Sequence, residues 1–140
     1  MTTLKISELS VGDWVRDGNG IIAKVRGIEN WSNGYILNVQ TVSGSICTLS
    51  ATGALPIPIT AEILEKNGLF RHERDDDSPE RIVLTNHFIM ARTYTDVDWW
   101  RVLIYDEGLH TKELFNGIIY SVHQLQHALN LAGIDKEINL

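Results

Sequence analysis

Cysteine is nearly absent from this chain of 140 residues, proline occurs three times, and no apolar run approaches 18 residues. Cys47 by itself excludes an internal disulfide and predicts a reducing cytoplasm. The missing apolar run excludes a membrane-spanning helix. The start, Met-Thr-Thr-Leu-Lys-Ile-Ser-Glu, has neither the basic patch nor the apolar stretch of a secretory leader, and none is expected. Basic residues are also short: 12 Lys and Arg stand against 18 Asp and Glu, for a net charge of −6. Arg71, Arg74 and Arg81 surround Asp75-Asp76-Asp77, so no basic cluster survives to release phosphate counterions. Non-specific nucleic-acid binding is therefore not expected, whereas a small basic pocket for one anionic ligand remains open. The chain has no Gly-x-x-x-x-Gly-Lys phosphate loop, no Gly-x-Ser-x-Gly elbow, no Cys-x-x-Cys and no Glu-x-Lys triplet. These absences point away from an enzyme, and no cofactor is implied.

What is present is globular: 44% hydrophobic and 21% charged residues, enough for one compact domain or two small subdomains sharing a core. The first fifty residues are punctuated by Gly18-Asn19-Gly20, Asn33-Gly34, Ser43-Gly44 and Gly53, with β-rich runs at 13–16, 21–28, 35–42 and 45–49. Such turn formers supply the positive φ of tight hairpins, so a four-stranded meander is expected. Ile22, Lys24 and Arg26 alternate against Ile21, Ala23 and Val25, the pattern of a half-buried strand. Leu9-Ser-Val-Gly-Asp-Trp-Val15 looks like the first strand of SH3-like small barrels.

Pro56 and Pro58 hold the next segment extended and make a stiff joint. Thr60 is placed as N-cap, Ile59 and Leu64 as a hydrophobic staple, and Gly68 as the left-handed terminator of a helix over 61–67. Strands are expected over 81–93 (two runs around Asn86-His87), 97–105, 109–115 and 118–120, the last two flanking an Asn116-Gly117 turn. Ser121-Val-His-Gln124 reads as a capping box, with Tyr120 and Leu125 as its staple and Gly133 closing the helix. Val122, Leu125, Leu129 and Ala132 form the stripe of that helix, expected to lie across the sheet. The expected fold class is α+β. An N-terminal SH3-like small β-barrel or meander occupies 1–54. An antiparallel sheet with two helices, over 61–67 and 122–132, occupies 55–140.

Leu55-Pro-Ile-Pro-Ile-Thr-x-Glu-x-Leu-x-Lys-Asn-Gly68, followed by Gly117-Ile-x-Tyr and Val122-His-Gln-Leu-Gln126, resembles a group of uncharacterised small proteins. They occur in Bacteroidetes genomes, in prophages and mobile elements, and in related phages. The opening Ile6-Ser-Glu-Leu-Ser-Val-Gly-Asp-Trp-Val15 fits the same group. Two departures are Ser121, inserted between Tyr120 and Val122, and His127 in place of a non-histidine polar residue. The resemblance implies a phage or mobile-element context in a bacterial cytoplasm; it implies no reaction.

The residues that could carry chemistry are few. His123 and His127 lie four apart on a helix and could reach one metal ion, with His87, His110 or Asp106 as a third ligand by fold. The bland alternative is two partly exposed residues beside the stripe. Gln124 is used by the capping box, and Gln126 is either a ligand contact or a solvated residue. Asp75-Asp-Asp-Ser-Pro-Glu80 lacks the glycine and ligand spacing of a calcium loop and reads as a soluble turn. Trp99, Trp100 and Arg101 could set an indole beside a guanidinium, as an interface or a platform for a base. The expected ligand or interface set is thus Trp99, Trp100, Arg101, His123, Gln126 and His127. The leading expectation is a non-enzymatic, homo-oligomeric binding protein for a host protein or a small anionic ligand such as a nucleotide, with a counter-defence role. The alternatives are a metal-dependent hydrolase using His123 and His127, and a structural component of a phage assembly.

Overall fold

The alternation of the first fifty residues resolves into β1 (Trp14–Arg16), β2 (Ile22–Trp31), β3 (Gly34–Thr41) and β4 (Ile46–Ser50). The structure is a computed structural model and describes residues 6–32, 34–69, 80–85, 87–92, 99–106 and 112–140. These strands form one antiparallel sheet in the order β1-β2-β3-β4, the expected meander. Gly20 and Gly44, both at positive φ, sit at its turns, where a side chain would be strained. Asp17 tightens the first turn by accepting from the amides of Asn19 and Ile21, each at 2.9 Å.

Pairing fixes which side chains share a face. Val15 pairs with Ala23, and Val25 with Val39. With Leu37, Leu9, Ala51 and Ala54 they form the buried core of this unit. Burial of each large aliphatic side chain contributes about 1.5–3 kcal/mol. A bulge between Val25 and Gly27 shifts the β2–β3 register by one residue, so Ile28 faces Leu37 and returns to the core side. Leu55 closes the free edge of β1: its amide donates to the Arg16 carbonyl at 2.8 Å and its carbonyl accepts from the Arg16 amide at 3.1 Å. Arg16 Nε donates to the Pro56 carbonyl at 3.0 Å. These bonds explain why the compact units are Met1–Ile57 and Pro58–Leu140, a little beyond the boundary expected after residue 54.

The second unit contains α1 (Ala61–Lys66), β5 (Glu80–Thr85), β6 (Phe88–Arg92), β7 (Trp100–Tyr105), β8 (Glu113–Ile119) and α2 (Val122–Leu131). Its sheet is a second antiparallel meander, β5-β6-β7-β8. The protein is therefore α+β and mostly β. Ile82, Phe88, Met90, Trp100, Val102, Ile104 and Ile119 are the buried members of its ladder.

Both helix starts form as the capping rules require. Thr60 Oγ1 accepts from the Ile63 amide at 3.2 Å, and Gly68 turns left-handed so that the Leu69 amide reaches the Leu64 carbonyl at 2.8 Å. The α2 capping box is present, and Gly133 closes the helix through an Ile134-to-Leu129 bond of 3.0 Å. An isolated antiparallel bridge joins Pro58 to Ser121, which sets the two helix starts side by side.

Two expectations are corrected. Asn116-Gly117 is not a turn but the middle of β8, where Gly117 pairs with Val102 and Asn116 with Leu103. The glycine is there for space: a Cβ on Gly117 would come within 2.6 Å of the Phe115 ring. Tyr120 is more than half exposed while Leu125 is buried, so the staple does not draw the tyrosine into the core. Residues 75–79 of the acidic run lie outside the described residues.

The chain end is fastened by polar side chains. Asn67, itself buried, accepts from the Asn139 amide at 2.7 Å and donates to the carbonyls of Asn139 and Ile63, each at 2.8 Å. Between Lys136 and Asn139, Ile138 is fully buried. Replacing Asn67 by alanine strips the Asn139 backbone of both partners, so Asn67→Ala is expected to lower unfolding stability by about 1–3 kcal/mol. Urea denaturation measures this, and hydrogen exchange should show the loss of protection beginning at the Asn139 amide.

Candidate functional site

His123 sits on the first turn of α2 at 1% exposure, inside the core rather than beside it. Its Nδ1 lies 2.8 Å from the Ser121 hydroxyl, and its ring meets that of His127 edge to face, 5.8 Å between centroids. The partly exposed His123 foreseen from sequence is therefore corrected. Val122, Leu125, Ala128 and Leu129 share its burial, because the apolar arc of this helix is wide enough to take in the histidine. His127 is half-buried. Among the described residues, no group of three His, Cys, Asp or Glu side chains could hold a metal ion. His110 lies outside the described residues. His87 is engaged elsewhere, its Nδ1 2.9 Å from Thr85 Oγ1 and its Nε2 3.1 Å from the Ala132 carbonyl at the end of α2.

Gln126 is half-buried, and its side-chain amide is engaged with the chain itself. Its Oε1 accepts from the Ile138 amide at 2.7 Å and its Nε2 donates to the Lys136 carbonyl at 2.8 Å. Side-chain amides mimic a strand partner, and this one holds the C-terminal segment.

The Trp99-Trp100-Arg101 platform is also rearranged. Trp100 points inward at 2% exposure, and the guanidinium stacked on it is that of Arg92, 4.5 Å from the ring centroid. Arg101 lies on the opposite face and donates to Asn116 Oδ1 at 2.8 Å. Strand alternation separates Trp100 from its sequence neighbour and gives it a cross-strand partner instead. Trp99, half-buried, precedes β7.

The richest set of binding groups lies on the outer face of the first sheet, away from its core. β1 places Trp14 and Arg16 there, on either side of the inward Val15. β2 adds Lys24 opposite Trp14, with Ile22 opposite Arg16. Lys24 Nζ stands 5.5 Å from the Trp14 ring centroid, an ammonium on an indole face. Arg26 follows at the bulge, its Nε donating to Gln40 Oε1 at 2.9 Å. Gln40 in turn is the β3 partner of Lys24, so the ladder runs Trp14–Lys24–Gln40. The Lys24 amine is held below its usual pKa, first by partial burial and then by the charge of Arg26. Three cations, one amide and one indole are thereby gathered on one face of an acidic chain. Such a face offers charge and hydrogen-bond donors to oxyanions, and an aromatic surface to a planar group.

The alternation of Lys24 with Ala23 and Val25 was the sequence signal for this face. Trp14 and Gln40 carried none, because only the register brings them beside Lys24. No family model, curated protein or solved structure matches this chain.

Two outcomes are expected. Titration of Lys24 by the carbon-13 shift of its Cε should give a midpoint below 10.5, and Arg26→Gln should raise that midpoint partway, since burial persists. Between the lowered folded pKa and the ordinary unfolded one, the unfolded chain binds more protons, so this group's contribution to stability rises with pH across that window. Separately, His123→Ala is expected to cost about 2–4 kcal/mol through cavity formation, and equally with or without EDTA. A cost that depends on chelator would revive the metal reading.

Proposed function

We propose that this protein is a non-enzymatic binding protein of phage or mobile-element origin. It works as a homo-oligomer in the bacterial cytoplasm and takes a small anionic ligand of the nucleotide class. The observation that carries this reading is the cationic, aromatic outer face formed by Trp14, Arg16, Lys24, Arg26 and Gln40. Like charges are gathered there although the whole chain carries −6. Two neighbouring cations cost energy to assemble, and an oxyanion between them offsets that cost. Trp14 offers a flat surface to a base, and Gln40 fixes the direction of the Arg26 fork.

The SH3-like likeness belongs to the same proposal and is supported by the bulged four-stranded meander. The counter-defence role follows from it: sequestering a nucleotide-class signal needs a binding face and no catalytic group. Among the described residues no helix is long and apolar enough to cross a membrane.

Calorimetry with ATP and with inorganic pyrophosphate at low ionic strength tests the reading. Binding of ATP tighter than pyrophosphate is expected, weakened at least tenfold in both Lys24→Glu and Arg26→Glu. Equal affinities would reduce the ligand to its phosphates alone. No binding at millimolar ligand, or binding indifferent to both substitutions, would overturn the assignment.

A further inference from the structure

β4 is an edge strand without a charged side chain. From Asn30 to Ala61 the chain carries not one charged side chain, although a fifth of all its residues are charged. That stretch supplies the whole of β3 and β4 and the turn between them. β4 is the last strand of its sheet, and four of its five residues are exposed. Ile46 is 77% exposed and Val42, in the preceding turn, 64%. Edges of sheets are ordinarily guarded by charge, proline, a bulge or a covering segment. Leu55 covers the β1 edge in this manner. β4 has no charge, no proline and a straight register with β3.

The backbone polarity of β4 follows from one bond. The Thr41 amide donates to the Ser45 carbonyl at 2.9 Å, and antiparallel ladders alternate between bonded and non-bonded pairs. Cys47 and Leu49 therefore bond inward to Val39 and Leu37. The amides and carbonyls of Ile46, Thr48 and Ser50 point away from β3. Three outward residues with Thr48 at their centre are self-complementary about a two-fold axis: Thr48 opposes Thr48 of the second copy, and Ile46 opposes Ser50.

We propose that β4 is the contact through which two copies of this chain pair, antiparallel and edge to edge, joining their first-unit sheets. The occupant is a second copy for an electrostatic reason. Two chains of −6 repel least where they meet through a region without charge, and Asn30–Ala61 is that region. A cationic or anionic partner would find nothing on this edge to match its charge. The inference places the homo-oligomer contact of the preceding reading, and it is independent of the ligand assigned there.

Light scattering on the full chain at micromolar concentration is expected to give twice the chain mass. Ile46→Lys, which places a charged lysine at each end of the paired edge, is expected to give a monomer. Thr48→Pro, which removes the central outward donor, should do the same, with the circular dichroism of each unchanged. In this register the two Cys47 Cα atoms lie about 7–8 Å apart, as diagonal neighbours. Spin labels on this one native cysteine should therefore show strong mutual dipolar broadening. A monomeric native chain, a dimer that survives Ile46→Lys, or a dimer without Cys47 broadening would each overturn the proposal. Pyrophosphate titration of Ile46→Lys separates the two readings: retained binding leaves the ligand face standing whatever the fate of the dimer.

Discussion

Antiparallel pairing with a side-chain period of two is the constraint on which everything else in this protein rests. In both sheets a shift of one residue would exchange core for surface along a whole strand. Val15, Ala23, Val25 and Val39 are buried because they share one parity, and Trp14, Lys24 and Gln40 form a row because they share the other. Among the described residues the bulge after Val25 is the one place where the first sheet changes phase. It brings Ile28 back to the core side and gives Arg26 the position from which it reaches Gln40. In the second sheet the same rule buries Trp100 and turns Arg101 away from it, while the neighbouring strand supplies Arg92 to the indole.

The second unit uses its polar side chains as fasteners. Asn67 and Gln126 each make the bonds a strand partner would make, and between them hold the backbone of Lys136, Ile138 and Asn139. Ser121 and Gln124 complete the start of α2, and the Ser121 hydroxyl also meets the His123 ring. Amides, a hydroxyl and an imidazole look like a ligand set in one dimension. Here they answer the demand that buried backbone groups be satisfied. The glycine at 117 belongs to the same logic, since the Phe115 ring occupies the space its side chain would need.

Charge is distributed with equal economy. The acidic excess of the chain coexists with three cations on one sheet face and with a long uncharged stretch that ends in an open edge. A concentrated positive strip acts on anions over roughly a Debye length, about 8–10 Å at physiological salt. The neutral edge has no such reach and favours a contact built from backbone bonds. One strip and one edge in the same small sheet thus offer different chemistry in different directions.

Local rules were legible in the sequence. Thr60, Gly68, Gln124 and Gly133 marked both helices within a residue or two, because capping involves neighbours along the chain. Glycine-bearing turns and alternation marked the meander for the same reason. What the sequence left undetermined depended on residues far apart. Asn116-Gly117 carried a turn signal that the β7 ladder overrode, and His123 on its surface-like motif was drawn into the core. Gln126 found its partners ten and twelve residues on, and the Trp14–Lys24–Gln40 row exists only through register. By itself, then, the sequence determined element types and ends, fixed by bonds within one turn. Tertiary pairing alone decided which polar groups stay on an outer face and which are consumed in holding the fold, because that is settled by what each side chain meets across a strand or a helix.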